Sequence, residues 1–315
     1  MRIAIFGAGG IGGYLGGRLS QAGEEVVLIA RGEHLQTIRE HGLRVDSIKG
    51  DFVATPALAT DNPTEAGTVD AVILGVKAWQ VLDAADAMHP MIGPNTFVVP
   101  MQNGVDAPAQ LASVLGESAM VVGMGGIMSY IVGPGHIRHA GADPFVTFGE
   151  ADDSTSDRTQ DLLHAFENAG VRANIPTNVY AALWGKLTYM AASSGIGALT
   201  RVSSDQWRAV PESWAMAQDV VREVLAVAAG QGITMPSDTF ASTIARFESA
   251  APGGTSSMQR DVMEGRRSEL EVQTGAIVRL GKEAGVPTPV NTFIYHSLLP
   301  QEMKAQGKFG PPDSE

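Results

Sequence analysis

The chain has 315 residues, 44% of them hydrophobic and 18% charged, an ordinary balance for a soluble globular protein and a length that allows two domains with real cores. A formal charge of −12 and a pI near 5.0 argue against nucleic acid or an anionic membrane as partner, because neither would meet a general basic surface. The lack of cysteine excludes disulfides, thiol catalysis and cysteine-ligated metals, and with no membrane-length apolar run or cleavable leader in view, a cytoplasmic protein is the simplest expectation.

In chain order, Arg2 to Phe6 form a short apolar run typical of a buried parallel strand. It breaks into Gly7-Ala8-Gly9-Gly10-Ile11-Gly12-Gly13, ahead of a helix expected over 11–22. This is G-x-G-x-x-G between strand and helix, the context in which the pattern holds a dinucleotide. Gly7 is expected to allow the tight turn, Gly9 to let a pyrophosphate approach the backbone, and Gly12 to let helix and strand pack closely. Gly10 and Ile11 open the helix, whose unpaired N–H groups face the anion.

A second apolar strand, 25–30, ends at Arg31. An acidic residue there would bond the ribose 2′-hydroxyl of NAD, whereas arginine suits the 2′-phosphate of NADP, so Arg31 favours NADP; a solvated surface arginine is the plainer alternative. Residues 33–41 read as helix, 43–54 as a strand pair turning at Lys49-Gly50, 70–76 as a buried strand running into Lys77, and 96–100 as another running into Gln102-Asn103-Gly104. Lys77 and Asn103 thus fall at strand C-terminal ends, where open α/β sheets bind ligands. A loop lysine and an ordinary Asn-Gly turn are their plain readings.

A glycine-bearing strand is expected over 120–128, and 136–139 with 145–148 read as a closing antiparallel pair. His136 and His139 do not make a metal site: on a strand their rings point to opposite faces, and no third ligand accompanies them. A helix over 158–169 and a strand over 171–175 complete the alternating half at Pro176.

Beyond Pro176 the pattern is helical, with helices expected near 178–194, 205–230, 237–249, 254–264, 269–284 and 290–305. Ser268 and Glu271 match the S-x-x-E capping box, and Glu269 beside them is a first-turn carboxylate that the helix dipole favours without any function. Lys186 stands apart as the one charge in the apolar segment Val179 to Ala192. A buried lysine is paired or has a lowered pKa, and a lowered pKa suits a proton donor at neutral pH; a lysine snorkelling at the helix edge is the alternative.

Taken together, the glycine segment, Val76-Lys77-Ala78-Trp79-Gln80, Gln102-Asn103-Gly104-Val105, Leu183-Trp184-Gly185-Lys186-Leu187, Ser256-Ser257-Met258 with Asp261, Ser268-Glu269-Leu270-Glu271 and Gly285-Val286-Pro287-Thr288-Pro289 resemble the ketopantoate reductase family, the NADPH-dependent 2-dehydropantoate 2-reductases. The resemblance covers nearly the whole chain, in order. It implies an NADP-binding Rossmann domain over 1–176 and an all-helical catalytic domain of the 6-phosphogluconate dehydrogenase type over 177–315, with the active site in the cleft between them. It further implies reduction of ketopantoate to pantoate, a step of pantothenate biosynthesis; a homodimer is compatible with it.

Residue by residue, the resemblance makes Lys186 the catalytic lysine that protonates the ketone oxygen as hydride arrives from NADPH, and Glu269 the acidic residue at the reacting oxygen. Asn103 and Ser257 match residues near nicotinamide and substrate, with Ser257 on the substrate's polar end, and Arg31, Lys77 and Gln80 match the cofactor side. One departure stands out. Members of known substrate resemble K-x-x-x-N after the lysine, and here that position is Met190, with Ala191-Ala192-Ser193-Ser194 following. Met190 lies one turn from Lys186 and cannot donate the lost hydrogen bond, so weak ketopantoate turnover and a preference for a more apolar 2-oxo acid are expected, with Ser194 or Arg201 as replacement contacts. A related dehydrogenase for another 2-oxo acid or secondary alcohol, and a non-catalytic NADP sensor, are the alternatives; retention of Lys186 and Glu269 argues against the sensor.

Overall fold

The structure is a computed structural model describing residues 1–141 and 143–309; of the second expected domain, residues 310–315 lie outside the described residues. The chain divides into two compact units, Met1–Gln102 with Ala107–Val179, and Asn103–Asp106 with Tyr180–Glu315.

The first unit runs β1 (Arg2–Phe6), α1 (Gly10–Gln21), β2 (Glu25–Ile29), α2 (Gly32–His41), β3 (Leu43–Ser47), β4 (Phe52–Ala54), β5 (Leu58–Thr60), α3 (Pro63–Ala66), β6 (Ala71–Leu74), α4 (Val81–Ala87), β7 (Phe97–Pro100), α5 (Ala107–Leu115), β8 (Val122–Gly126), β9 (Ser129–Gly133), β10 (His136–His139), β11 (Phe145–Gly149), α6 (Asp157–Asn168) and β12 (Arg172–Asn174). β1 and β2 are buried from their second residue onward, which is why both are apolar without alternation. They lie in a parallel sheet ordered β5-β2-β1-β6-β7. The chain leaves β1 to one side and returns to β6 on the other, so the switch point that favours ligand binding lies beyond the C-terminal ends of β1 and β6.

Two glycines fix the turn at that point. Gly7 has φ +98°, open to glycine and costly for other residues. A Cβ on Gly12 would sit 2.2 Å from the Gly7 carbonyl oxygen, so α1 can approach β1 this closely only without a side chain there. Ile3, Ile5, Leu15, Leu19 and Leu28 fill the core beneath.

The expected 136–139/145–148 pair does not form. β10 lies between β3, which it joins in parallel, and antiparallel β9, whereas β11 lies between antiparallel β8 and parallel β12. The reason is local: Gly135, at φ +63°, turns β9 straight back onto β10, so β10 takes its hairpin partner from the preceding segment. The resulting sheet, β4-β3-β10-β9, covers α1, where Gly13 and Gly17 leave room for Ile137 and Phe52. The β3–β4 pair turns at Lys49-Gly50 as expected. α4 and α5, which no strong periodicity announces, flank β6 and β7 in sequence.

The second unit is helical: α7 (Val179–Thr200, whose first residue belongs to the first unit), α8 (Ser204–Arg208), α9 (Pro211–Gly230), α10 (Thr239–Glu248), α11 (Ser257–Met263), α12 (Ala276–Ala284) and α13 (Pro289–Ala305). Its core gathers Trp184, Leu187 and Ala191 from α7, Val220 and Val224 from α9, and Phe247 from α10. The helix expected over 205–230 is broken at Ala209-Val210, because Pro211 cannot continue an incoming helix but suits the first turn of a new one.

The expected capping box at Ser268 is also replaced. The Ser268 hydroxyl and N–H both donate to Glu302 on α13, at 2.7 and 3.0 Å, and Glu271 accepts from the Tyr295 hydroxyl at 2.7 Å. The helix opens instead with a π-helical turn over Glu271–Gly275, a wider winding often found at functional sites. Among the described residues no helix is long and apolar enough to cross a membrane, and no group of three His, Asp or Glu could hold a metal.

Candidate active site

In the first unit the glycine turn is held at the end of β2. Gly7 and Ala8 donate their N–H groups to the Ile29 carbonyl at 3.2 and 3.0 Å. His34 on α2 secures the other side: its Nε2 lies 2.9 Å from the Ala8 carbonyl oxygen, while Nδ1 accepts from the Gly135 N–H at 2.9 Å. Those partners require the neutral ring protonated on Nε2, and burial lowers the pKa of His34 accordingly. Sequence reasoning passed over His34, since a lone histidine on a short amphipathic helix carries no signal.

A nicotinamide dinucleotide fits this cradle by two observations. A Cβ placed on Gly9 would meet nothing within 4 Å, so the backbone there is open to an approaching group. The first turn of α1 carries no acidic side chain, and Gly13 is the first residue whose N–H closes on a helical carbonyl, that of Gly9 at 2.7 Å. Gly10, Ile11 and Gly12 therefore present N–H groups of the kind that bind phosphate at a helix start.

Two exposed cations follow the neighbouring strands. Arg31 stands two residues past β2 as the N-cap of α2. Lys77 opens a short 3-10 turn after β6, its N–H donating to the Gln80 side chain at 3.3 Å and its ammonium 5.8 Å from the Trp79 ring centre. The loop bearing Lys77 packs on the glycine turn, since a Cβ on Gly7 would lie 2.8 Å from Val76 Cγ1. The glycine segment, Lys77 and Gln80 are thus neighbours, and Arg31 is joined to them through the end of β2.

In the second unit Lys186 lies on α7, within the turns that supply Trp184 and Leu187 to the core. Burial lowers its pKa to about 8; the negative charge of Glu269 opposes the shift, and the positive charge of Arg246 adds to it. Glu269 is held in turn. Asn103 Nδ2 donates to its Oε2 at 2.7 Å, and Gln273, fully buried one turn further on, donates to the same oxygen at 3.3 Å. Asn103 reaches this position because Gly104, at φ +91°, passes so close to the Val272 carbonyl that a Cβ would lie 2.3 Å from it. Gln273 was missed in the sequence; its signal is the four-residue spacing from Glu269.

Lys186, Glu269 and Asn103 are therefore brought into one electrostatic group. Met190 is half-buried one turn after Lys186 on the same helix. Ser257 is exposed at the first position of α11, where Ser256 caps the helix through the Gln259 N–H; among the described residues no hydrogen bond joins Ser257 to Lys186, Glu269 or Asn103. Ser194 is fully buried, in the stripe of α7 shared by Ala191 and Ala198. Arg201 is exposed and donates to Gln301 at 3.1 Å. An ammonium with its pKa lowered to about 8, under the charge of a fixed carboxylate, can hand a proton to a carbonyl oxygen and take it back from an alcohol.

Residues 3–153 match the family model described as ketopantoate reductase PanE/ApbA, and residues 178–302 match the model of its C-terminal domain. The chain is 29% identical to a 2-dehydropantoate 2-reductase of Mesorhizobium japonicum, over 92% of this chain and 94% of that protein. It is 33% identical to a PanE/ApbA family ketopantoate reductase from Ralstonia eutropha JMP134, with a TM-score of 0.88 over 97% of this chain and 100% of that one. A D-mandelate dehydrogenase, solved with NADH and anilino(oxo)acetate, superposes with a TM-score of 0.87 at 25% identity over 97% and 99% of the two chains.

Proposed function

Since the chain belongs to the ketopantoate reductase family, and is an oxidoreductase acting on CH–OH donors with a nicotinamide cofactor, we propose that it is an NADPH-dependent 2-dehydropantoate 2-reductase, forming pantoate for pantothenate biosynthesis. The observation that carries the reading is Lys186, a lysine with its pKa lowered to about 8 beside a carboxylate fixed by Asn103. On this reading residues 1–176 bind the cofactor and residues 177–315 carry substrate and catalysis.

When bound, the nicotinamide supplies the hydride. Gly9, Gly10, Ile11 and Gly12 hold the pyrophosphate through backbone N–H groups, and Lys77 and Gln80 flank the adenosine side. Lys186 holds a proton on Nζ toward the keto oxygen and delivers it as negative charge develops there. Glu269 keeps Lys186 protonated enough to act, and Asn103 keeps Glu269 in place.

The weak ketopantoate turnover expected from Met190 is outweighed by the match of both family models and by relatives carrying the 2-dehydropantoate 2-reductase name along nearly their full length. Met190 nonetheless favours one second reading, a 2-oxo acid with an apolar group in place of the hydroxymethyl end. The test is NADPH oxidation with ketopantoate beside a panel of apolar 2-oxo acids. The proposal expects ketopantoate to lead the panel with kcat/KM of about 10⁴ M⁻¹s⁻¹ or more. Apolar 2-oxo acids leading by tenfold would install the second reading, and no turnover of any 2-oxo acid would overturn both.

The NADPH preference is assigned to Arg31, which stands exposed after β2 with no acidic residue at the strand's end. A charge-assisted pair with the 2′-phosphate should favour NADPH over NADH by roughly ten- to a hundred-fold, and Arg31→Ala should erase most of that difference. Equal affinities of the unaltered protein for the two cofactors, by fluorescence titration, would remove Arg31 from this role.

A further inference from the structure

A 2-oxo acid presents two polar groups on adjacent carbons, a ketone and a carboxylate. Lys186, Glu269 and Asn103 account for the ketone; Met190 contributes no donor to the rest, and Ser257, exposed at the start of α11, offers one uncharged hydroxyl. The second unit, however, holds a cation beside this face of α7. Arg246, in the last turn of α10, lays its guanidinium carbon 3.9 Å from the centre of the Tyr189 ring. Tyr189 is stacked on Phe247, with ring centres 4.4 Å apart and planes 21° from parallel, and Phe247 is fully buried. The platform is therefore anchored in the core. Tyr189 lies three residues after Lys186, which places the two side chains on neighbouring positions of one helical surface.

Arg246 differs from its neighbours in how its donors are used. Arg201, Arg208, Arg222, Arg260, Arg266 and Arg279 each donate to a nearby oxygen of their own unit. Among the described residues no hydrogen bond or ion pair engages Arg246, and the side chain is exposed. A guanidinium held over an aromatic face by cation–π attraction still has its N–H donors to offer, and its planar fork suits bidentate pairing with a carboxylate. Its charge is close enough to act on Lys186, whose pKa it depresses.

We propose that Arg246, held over the Tyr189 ring, binds the carboxylate of the 2-oxo acid whose keto oxygen Lys186 protonates. The inference rests on the reading of this unit as a 2-oxo acid reductase. Met190 then faces the remaining substituent, and α10 supplies the cation that recognises the acid.

The experiment compares Arg246→Gln and Arg246→Lys with the unaltered protein, using 3-methyl-2-oxobutanoate and its uncharged methyl ester as probes. Turnover is followed with NADPH, and binding of the acid is followed by titration calorimetry of the protein loaded with NADP⁺. Arg246→Gln should lower kcat/KM for the acid by about 10- to 100-fold and weaken its binding in proportion, with the loss mainly in KM and the ester changed less than threefold. Arg246→Lys, which restores charge without the planar fork, should recover part of the loss. Equal losses for acid and ester, or unchanged binding of the acid to Arg246→Gln, would overturn the proposal while leaving the reductase reading intact. If the unaltered protein turns over neither probe, the reductase reading is in question, and the binding titration still decides whether Arg246 holds the carboxylate.

Discussion

Lys186→Ala is expected to lower turnover of a 2-oxo acid by about 10²–10⁴-fold while leaving affinity for the nicotinamide cofactor nearly unchanged. The size follows from the role. Without the ammonium, the developing oxyanion loses its proton source and water must serve instead. Binding of the cofactor should survive because its contacts are assigned to the glycine segment, Arg31 and Lys77, none of which involves Lys186. Steady-state kinetics and a cofactor titration on one preparation separate the two quantities. Near-normal turnover by Lys186→Ala would return the lysine to a packing role.

The second large effect concerns stability. Glu223 on α9 is almost fully buried and accepts three hydrogen bonds from the start of α13: the Val290 N–H at 2.8 Å, the Asn291 N–H at 2.9 Å and the Asn291 side-chain amide at 2.7 Å. Thr288, the N-cap, makes no side-chain capping bond to the helix N–H groups, its hydroxyl pairing with that of Thr292 instead, so the carboxylate from α9 serves as the cap and meets the positive end of the helix dipole. Glu223→Ala would strand these buried donors at roughly 1–3 kcal/mol each. With partial recovery by water, a loss of about 3 kcal/mol or more is expected. Thermal or urea denaturation should show it, with Glu223→Gln intermediate because it keeps one acceptor oxygen. An unchanged midpoint for Glu223→Ala would show that α13 does not need this cap.

Features carried by local chemistry were legible in the sequence. The run Arg2 to Phe6, the glycines after it and the apolar helix around Lys186 each state their structure within a dozen residues, because burial on all sides leaves no polar alternation to misread. What was not legible depended on partners distant in the chain. β10 and β11 each have strand character, but their separation into different sheets is decided by the turn at Gly135 and by β12. Ser268 and Glu271 have capping-box spacing, yet Glu302, 34 residues from Ser268, takes the hydroxyl and Tyr295 takes the carboxylate. Asn103 reads as a turn residue after a strand; only in three dimensions does it join the second unit and seize Glu269, 166 positions away. Arg246 carries no motif at all, since its meaning comes from the ring beneath it.

The claim that Lys186 is the proton donor is tested most directly by the pH dependence of kcat/KM for reduction of a 2-oxo acid by NADPH. The donor must be protonated in the free enzyme, and its pKa is lowered to about 8, so reduction should hold level below that value and fall as pH rises through it. The fall should approach tenfold per pH unit, and oxidation of the corresponding alcohol, which needs the neutral amine as base, should rise over the same range. A reduction profile that stays level from pH 7 to about 10, near the ordinary lysine pKa, would contradict the account.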